Sequence, residues 1–190
     1  MSGNIRAFIA VDIPDSFKEE LQCLLESFKR HGTDVRWAAA KNLHLTLKFL
    51  GDTSPDQVEK VKNILKELCS GQKVFFAHSA GLGGFPSLER PRLLWAGMDE
   101  GENDLKELAW KVEKGIRTLG FPVEERPFSA HLTLGRVRGP QNLRRLTEDM
   151  RTRRFVSAHR IEVNHLTFYK STLTPEGSIY EPIEVVNFKF

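Results

Sequence analysis

The chain has 190 residues, 40% of them hydrophobic and 28% charged, an ordinary globular balance that fits one domain able to bury a core without disulfides or structural metal. A formal net charge of +3 is too small by itself to imply nucleic-acid binding. No apolar run approaches the ~20 residues needed to span a bilayer, and residues 1–10 lack the long apolar core of a signal peptide, so the chain reads as cytoplasmic with no membrane attachment.

Taken in order, residues 7–13 (AFIAVDI) read as a buried strand. Pro14-Asp15-Ser16 offers a helix start, and Phe17, Leu21, Leu24, Leu25 and Phe28 follow at helical spacing. Val35-Arg36-Trp37 is a short extended piece leading into a strand over 43–50. Gly51 to Pro55 ends that strand and starts a helix running to about Cys69. Residues 73–80 resemble another strand, and Gly81-Leu82-Gly83-Gly84-Phe85-Pro86 reads as a turn or loop. The order then begins again. A strand over 93–98 precedes a helix over 102–119 with Leu105, Leu108, Ala109, Val112 and Ile116 on one face. Phe121-Pro122-Val123 is a short extended piece, and 128–137 is a strand ended by Gly139-Pro140. A polar helix to about Met150 and two extended runs, 161–169 and 179–188, finish the chain. Cys23 and Cys69 lie among leucines in helix-like segments and are expected to be buried thiols.

His44-Leu45-Thr46-Leu47 recurs as His131-Leu132-Thr133-Leu134. In an extended strand the side chains alternate, so each histidine shares a face with the threonine two residues on, while the leucines face the other way. The surrounding elements recur too, in the order strand, helix, short strand, motif strand, helix, strand. This reads as an internal duplication with halves near 1–90 and 91–190 of a single domain. Without a Gly-rich dinucleotide fingerprint and with many hairpin-like junctions, the expected fold is α+β. It is bilobal, with two pseudo-symmetric antiparallel-sheet lobes, helices outside and both motif strands at a central cleft.

Two such pairs suit phosphoester cleavage by acid–base chemistry. One neutral imidazole takes a proton from the attacking oxygen, and one imidazolium gives a proton to the leaving oxygen. Thr46 and Thr133 can hold non-bridging phosphate oxygens. A third match, His165-Leu166-Thr167-Phe168, lacks the same flanks and is expected on the edge or outer face of a late strand. Neither motif carries the third ligand that a zinc site needs, so no metal and no cofactor is expected. Residues 136–154 hold seven arginines against Glu148 and Asp149, a stretch that would attract a polyanion near the second motif. Phe8 and Trp37, on extended pieces, are candidates for stacking on a base or for core packing. Lys48, four residues after His44, is placed on the histidine face by strict alternation, where it would add positive charge near the phosphate or simply face solvent.

Trp37 with Lys41-Asn42-Leu43-His44-Leu45-Thr46-Leu47-Lys48-Phe49-Leu50-Gly51 resembles the first signature of the two-histidine (2H) phosphoesterase superfamily, and Ser129-Ala130-His131-Leu132-Thr133-Leu134-Gly135-Arg136 resembles the second. Arg6 to Ala10, Gly84-Phe85-Pro86 with Pro91 to Trp95, Tyr169-Lys170-Ser171 and Gly177 to Tyr180 are similar to the bacterial and archaeal RNA 2′,3′-cyclic phosphodiesterase branch, once called 2′-5′ RNA ligase. The resemblance implies a metal-independent enzyme that opens an RNA 2′,3′-cyclic phosphate end to a 2′-phosphate, with side activity on 2′-5′ linkages. It makes His44 and His131 the acid–base pair, Thr46 and Thr133 the phosphate holders, and Arg136 a charged donor near the phosphate. The partner is an RNA with a cyclic end, and no obligate protein partner is evident. Two other readings stand beside this one: a non-catalytic module that binds RNA ends, and a 2H enzyme acting on a small cyclic nucleotide-type metabolite.

Overall fold

The computed structural model describes residues 3–175 and 177–189. Nine strands and four α-helices follow one another as β1 (Ile5–Asp12), α1 (Asp15–Lys29), β2 (Val35–Trp37), β3 (His44–Thr53), α2 (Pro55–Ser70), β4 (Phe75–Phe85), β5 (Leu93–Glu100), α3 (Glu102–Ile116), β6 (His131–Val137), α4 (Leu143–Thr152), β7 (Val156–Val163), β8 (His165–Leu173) and β9 (Ser178–Asn187). All ladders are antiparallel, in the order β7-β4-β5-β6-β3-β1-β8-β9, with β2 added beside β6. The sheet curls into two lobes, β7-β4-β5-β6 and β3-β1-β8-β9, which meet where β3 and β6 pair at Leu45 and Leu132.

The helices form where the apolar spacing places them. Helix α1 buries Phe17, Leu21, Leu24, Leu25 and Phe28, and α3 buries Leu105, Leu108, Ala109, Val112 and Ile116. Helix α2 starts on a capping box. Ser54 Oγ accepts from the Gln57 backbone N–H at 3.3 Å, and Gln57 Oε1 accepts from the Ser54 N–H at 2.9 Å, an arrangement worth about 1 kcal/mol. These faces share one core with the outward leucines of both motif strands, Leu45, Leu47, Leu132 and Leu134, so each motif strand is anchored from behind.

Four expectations need correction. Gly81 to Phe85 is not a turn but the second half of β4: Gly83 pairs with Trp95, whose ring crosses it so closely that a Cβ there would lie 2.2 Å from the indole. The glycine serves close packing rather than chain reversal. Residues 121–123 form no strand. The run 161–169 is two strands divided at Asn164, β7 in one lobe and β8 in the other. Cys23 is exposed, whereas Cys69 is buried and its thiol is pushed up to about 12 by that burial. The two lobes also differ from the two halves of the chain, since β4 joins the lobe of β5, and β8 and β9 return to the lobe of β1.

Candidate active site

The register of the central strands assembles the site. Residues directly opposite in an antiparallel pair share a face. Leu45 lies opposite Leu132, facing the core, so the flanking rows face the cleft. One row places His44 opposite Thr133, and the next places Thr46 opposite His131. The four side chains form a rectangle with the histidines on one diagonal and the threonines on the other. Diagonal neighbours in a regular ladder lie roughly 7–8 Å apart, room for one phosphate between two imidazoles. The neighbouring strands extend the rows. Asp12 lies opposite His44 and Ala10 opposite Thr46, while Trp95 lies opposite Thr133 and Gly97 opposite His131.

The two imidazoles are held alike. His44 Nδ1 donates to the Asn42 carbonyl at 2.7 Å, and His131 Nδ1 donates to the Ser129 carbonyl at 2.8 Å. A carbonyl only accepts, so each Nδ1 keeps its hydrogen and each Nε2 is left for the cleft. Aromatic rings fix both. Phe8 stacks on His44 at 4.7 Å between centroids, and Tyr180 meets His44 edge-on at 5.2 Å. Phe85 meets His131 edge-on at 5.1 Å. Burial pushes His44 down to about 4, helped by Lys18 and opposed by the Asn42 carbonyl and Asp12. Burial also lowers His131, opposed by the Ser129 carbonyl and helped by the positive charge of Arg136. Both rings are therefore neutral in the free protein near pH 7.

A β-bulge follows each motif. In β3 the register slips between Thr46 and Lys48, and in β6 between Thr133 and Gly135. Each bulge absorbs one leucine and exchanges the faces beyond it. Arg136, five residues after His131, would otherwise face the core; it is instead exposed beside the second motif. The same slip turns Lys48 away from the His44 face, contrary to strict alternation. Lys48 is 2% exposed, with Nζ 2.8 Å from Glu113 Oε2 of α3 and bonded to the Pro122 carbonyl. It does not reach the cleft.

Two aromatic candidates are also not free to stack on a base. Phe8 is 2% exposed, held between the rings of His44 and Tyr169. Trp37 lies over Gly135 and stacks on Phe28 of α1 at 6.1 Å, on the helix side of the sheet. His165 is not on an edge or outer face. Strand β8 lies between β1 and β9, and His165 Nε2 donates to Asp12 Oδ2 at 3.0 Å. Thr167 and Tyr169 donate to the same carboxylate, each at 2.6 Å. Burial alone would raise the Asp12 carboxyl, but these donors outweigh it and hold it at about 2. The third motif copy thus secures the anion opposite His44.

Sequence reasoning assigns no role to Asp12, Tyr169 or Tyr180, although the two tyrosines lie in segments that resemble the family. With Lys18, Lys41, Asn42 and His44 they line a cavity of about 160 Å³ on the His44 side. The two-residue period of a strand was the available signal for Asp12, because it places Asp12 on one face with Phe8 and Ala10. Among the described residues, no group of three or more His, Cys, Asp or Glu side chains is arranged to hold a metal ion, and no helix is long and apolar enough to cross a membrane.

Comparison with known proteins agrees with this geometry. The sequence model of the family described as LigT like Phosphoesterase matches the chain twice, over residues 11–95 and 97–180. A Methanocaldococcus jannaschii protein named RNA 2′,3′-cyclic phosphodiesterase is 36% identical over 180 residues, 95% of this chain and 99% of its own length. An Aquifex aeolicus protein of the same name is 37% identical over 186 residues, 95% of each chain. Among solved structures, the Thermus thermophilus protein TT0787 superposes with a TM-score of 0.83 at 24% identity, covering 97% of this chain and 98% of its own. E. coli LigT complexed with 3′-AMP superposes with a TM-score of 0.79 at 23% identity, covering 98% and 99%.

Proposed function

The chain belongs to the LigT-like phosphoesterase family, and we propose that it hydrolyses RNA 2′,3′-cyclic phosphate ends to 2′-phosphates with His44 and His131 as an acid–base pair. The observation that carries this reading is the rectangle of two histidines and two threonines that the Leu45–Leu132 pairing sets on one face. Its relatives at 36% and 37% identity bear the name of that activity over nearly the full chain.

In this mechanism the cyclic phosphate lies between the two imidazoles. One Nε2 takes a proton from water as the water oxygen bonds to phosphorus. The bond from phosphorus to the 3′ oxygen breaks, and the other imidazole gives that oxygen a proton. Thr46, Thr133 and Arg136 hold the non-bridging oxygens, where negative charge builds in the transition state. Because burial keeps both free imidazoles neutral, the acid is charged as substrate arrives, the phosphate anion favouring an imidazolium beside it. Joining or cleaving 2′-5′ linkages is the side activity the same groups would support. The double match of the family and the matched bulges support the duplicated single domain.

The test is incubation of the purified protein, in excess chelator, with a short RNA ending in a 2′,3′-cyclic phosphate, followed by identification of the end. A 2′-phosphate is expected. A 3′-phosphate would reverse the leaving oxygen, and an untouched cyclic end on a bound RNA would make the protein a binding module instead.

A further inference from the structure

The bulge in β6 does more than expose Arg136. It aligns β6 with β2 so that Arg36 lies directly opposite Arg136. Opposed residues share a face, with Cα atoms about 4.5–5.5 Å apart. Val35 and Trp37 are partly buried and pack against the core, whereas Arg36 and Arg136 are both exposed. Among the described residues neither guanidinium makes a salt bridge or a side-chain hydrogen bond. The nearby Asp34 carboxylate bridges to neither of them and lies against Gly139. Other arginines of the basic stretch are tied down, Arg151 to Glu148 and Glu89, and Arg153 to Asp149 and Ser27.

Like charges directly opposed across a ladder oppose folding. The pair therefore contributes nothing to the sheet, and it lies on the face that carries His131 and Thr133. Arg136 lies three positions beyond Thr133 on β6, at most about 10 Å along the strand. Arg36 belongs to β2, which flanks β6 on the same side as β3, so it stands level with Arg136 beyond the His44 end of the rectangle.

We infer that Arg36, paired across the ladder with Arg136, is a second phosphate subsite that holds the phosphodiester on the 5′ side of the terminal nucleotide. This rests on the proposed function and adds a specificity to it: the protein is built for a cyclic phosphate at the end of an RNA chain rather than on a free nucleoside. A mononucleotide engages only the histidine rectangle and Arg136, whereas a longer strand also reaches Arg36. Arginine suits the task because its planar fork holds phosphate oxygens in a bidentate manner.

The experiment compares kcat/KM for a nucleoside 2′,3′-cyclic phosphate and for a trinucleotide with the same terminal nucleoside and cyclic end. The wild type is expected to favour the trinucleotide. Arg36→Gln should lower the trinucleotide-to-mononucleotide ratio roughly tenfold, the effect of one charge-assisted contact. It should also flatten the salt dependence of log(kcat/KM) for the trinucleotide by about 0.7, the increment for one phosphate contact on a single strand. Arg36→Lys should keep most of the ratio, and Lys60→Gln, which removes an exposed charge from α2, should keep all of it. An unchanged ratio in Arg36→Gln overturns the inference, and so does an equal loss on both substrates. If the wild type cleaves neither substrate, the proposed function fails. The subsite is then decided by trinucleotide affinity alone, which Arg36→Gln should weaken by about tenfold and Lys60→Gln should not.

Discussion

His44 and His131 each give the Nδ1 hydrogen to a backbone carbonyl two residues upstream, and that bond decides what each ring can do. It fixes the tautomer and aims Nε2 at the cleft. Burial lowers both rings from their ordinary value of about 6.5, His44 to about 4. The sign of the pH dependence follows. For kcat/KM the free protein titrates, and one of two depressed imidazoles must be charged, so the optimum lies on the acid side. For kcat the complex titrates, and a bound phosphate anion raises the imidazole beside it. The pH optimum of kcat/KM is therefore expected below that of kcat, measured with one substrate across both profiles. Coincident optima, or the reverse order, would mean that the histidines do not sense the phosphate.

At the scale of the strand, two bulges and one glycine decide which residues serve the site. The tetrapeptide repeat displays both His–Thr pairs openly because alternation holds as far as the threonine. Beyond it, one absorbed leucine in each motif exchanges the faces, which sends Lys48 to the core and brings Arg136 to the cleft. No residue type marks those bulges, so charge clustering and family resemblance, not alternation, pointed to Arg136, and alternation misplaces Lys48. A strand of three residues carries no periodicity to orient Val35-Arg36-Trp37. Residues 161–169 did carry a signal. Ile161 and Val163 are buried in one phase and Leu166 and Phe168 in the other, with Asn164 at the break. Gly83 misled in the opposite sense, because a glycine needed for packing looks in sequence like one needed for a turn. Gly83→Ala would thrust a Cβ into the Trp95 ring and should cost about 1–3 kcal/mol of stability, read from the midpoint of denaturant unfolding. A midpoint equal to wild type would show that the ring moves aside freely.

Over the whole molecule, the two halves of the chain are interlaced rather than stacked. Strand β4 of the first half is built into the lobe of β5 and β6, and β8 and β9 of the second half complete the lobe of β1 and β3. Neither half holds a complete lobe, although the repeat in the sequence suggests two equal pieces. Fragments 1–90 and 91–190, made separately, should therefore lack protected amides in hydrogen exchange, while the intact chain unfolds in one transition. A fragment with native-like protection would contradict the interlacing. The same arrangement gives each lobe one histidine of the motif pair, so the proposed chemistry exists only where the lobes meet at Leu45 and Leu132. The most direct test of that claim is single-turnover opening of an RNA 2′,3′-cyclic phosphate by His44→Ala and by His131→Ala, each checked for native circular dichroism. Each variant is expected to lose roughly 10²–10⁴-fold in rate, the usual contribution of one acid–base group. Near-native turnover in either folded variant would contradict the paired-histidine account.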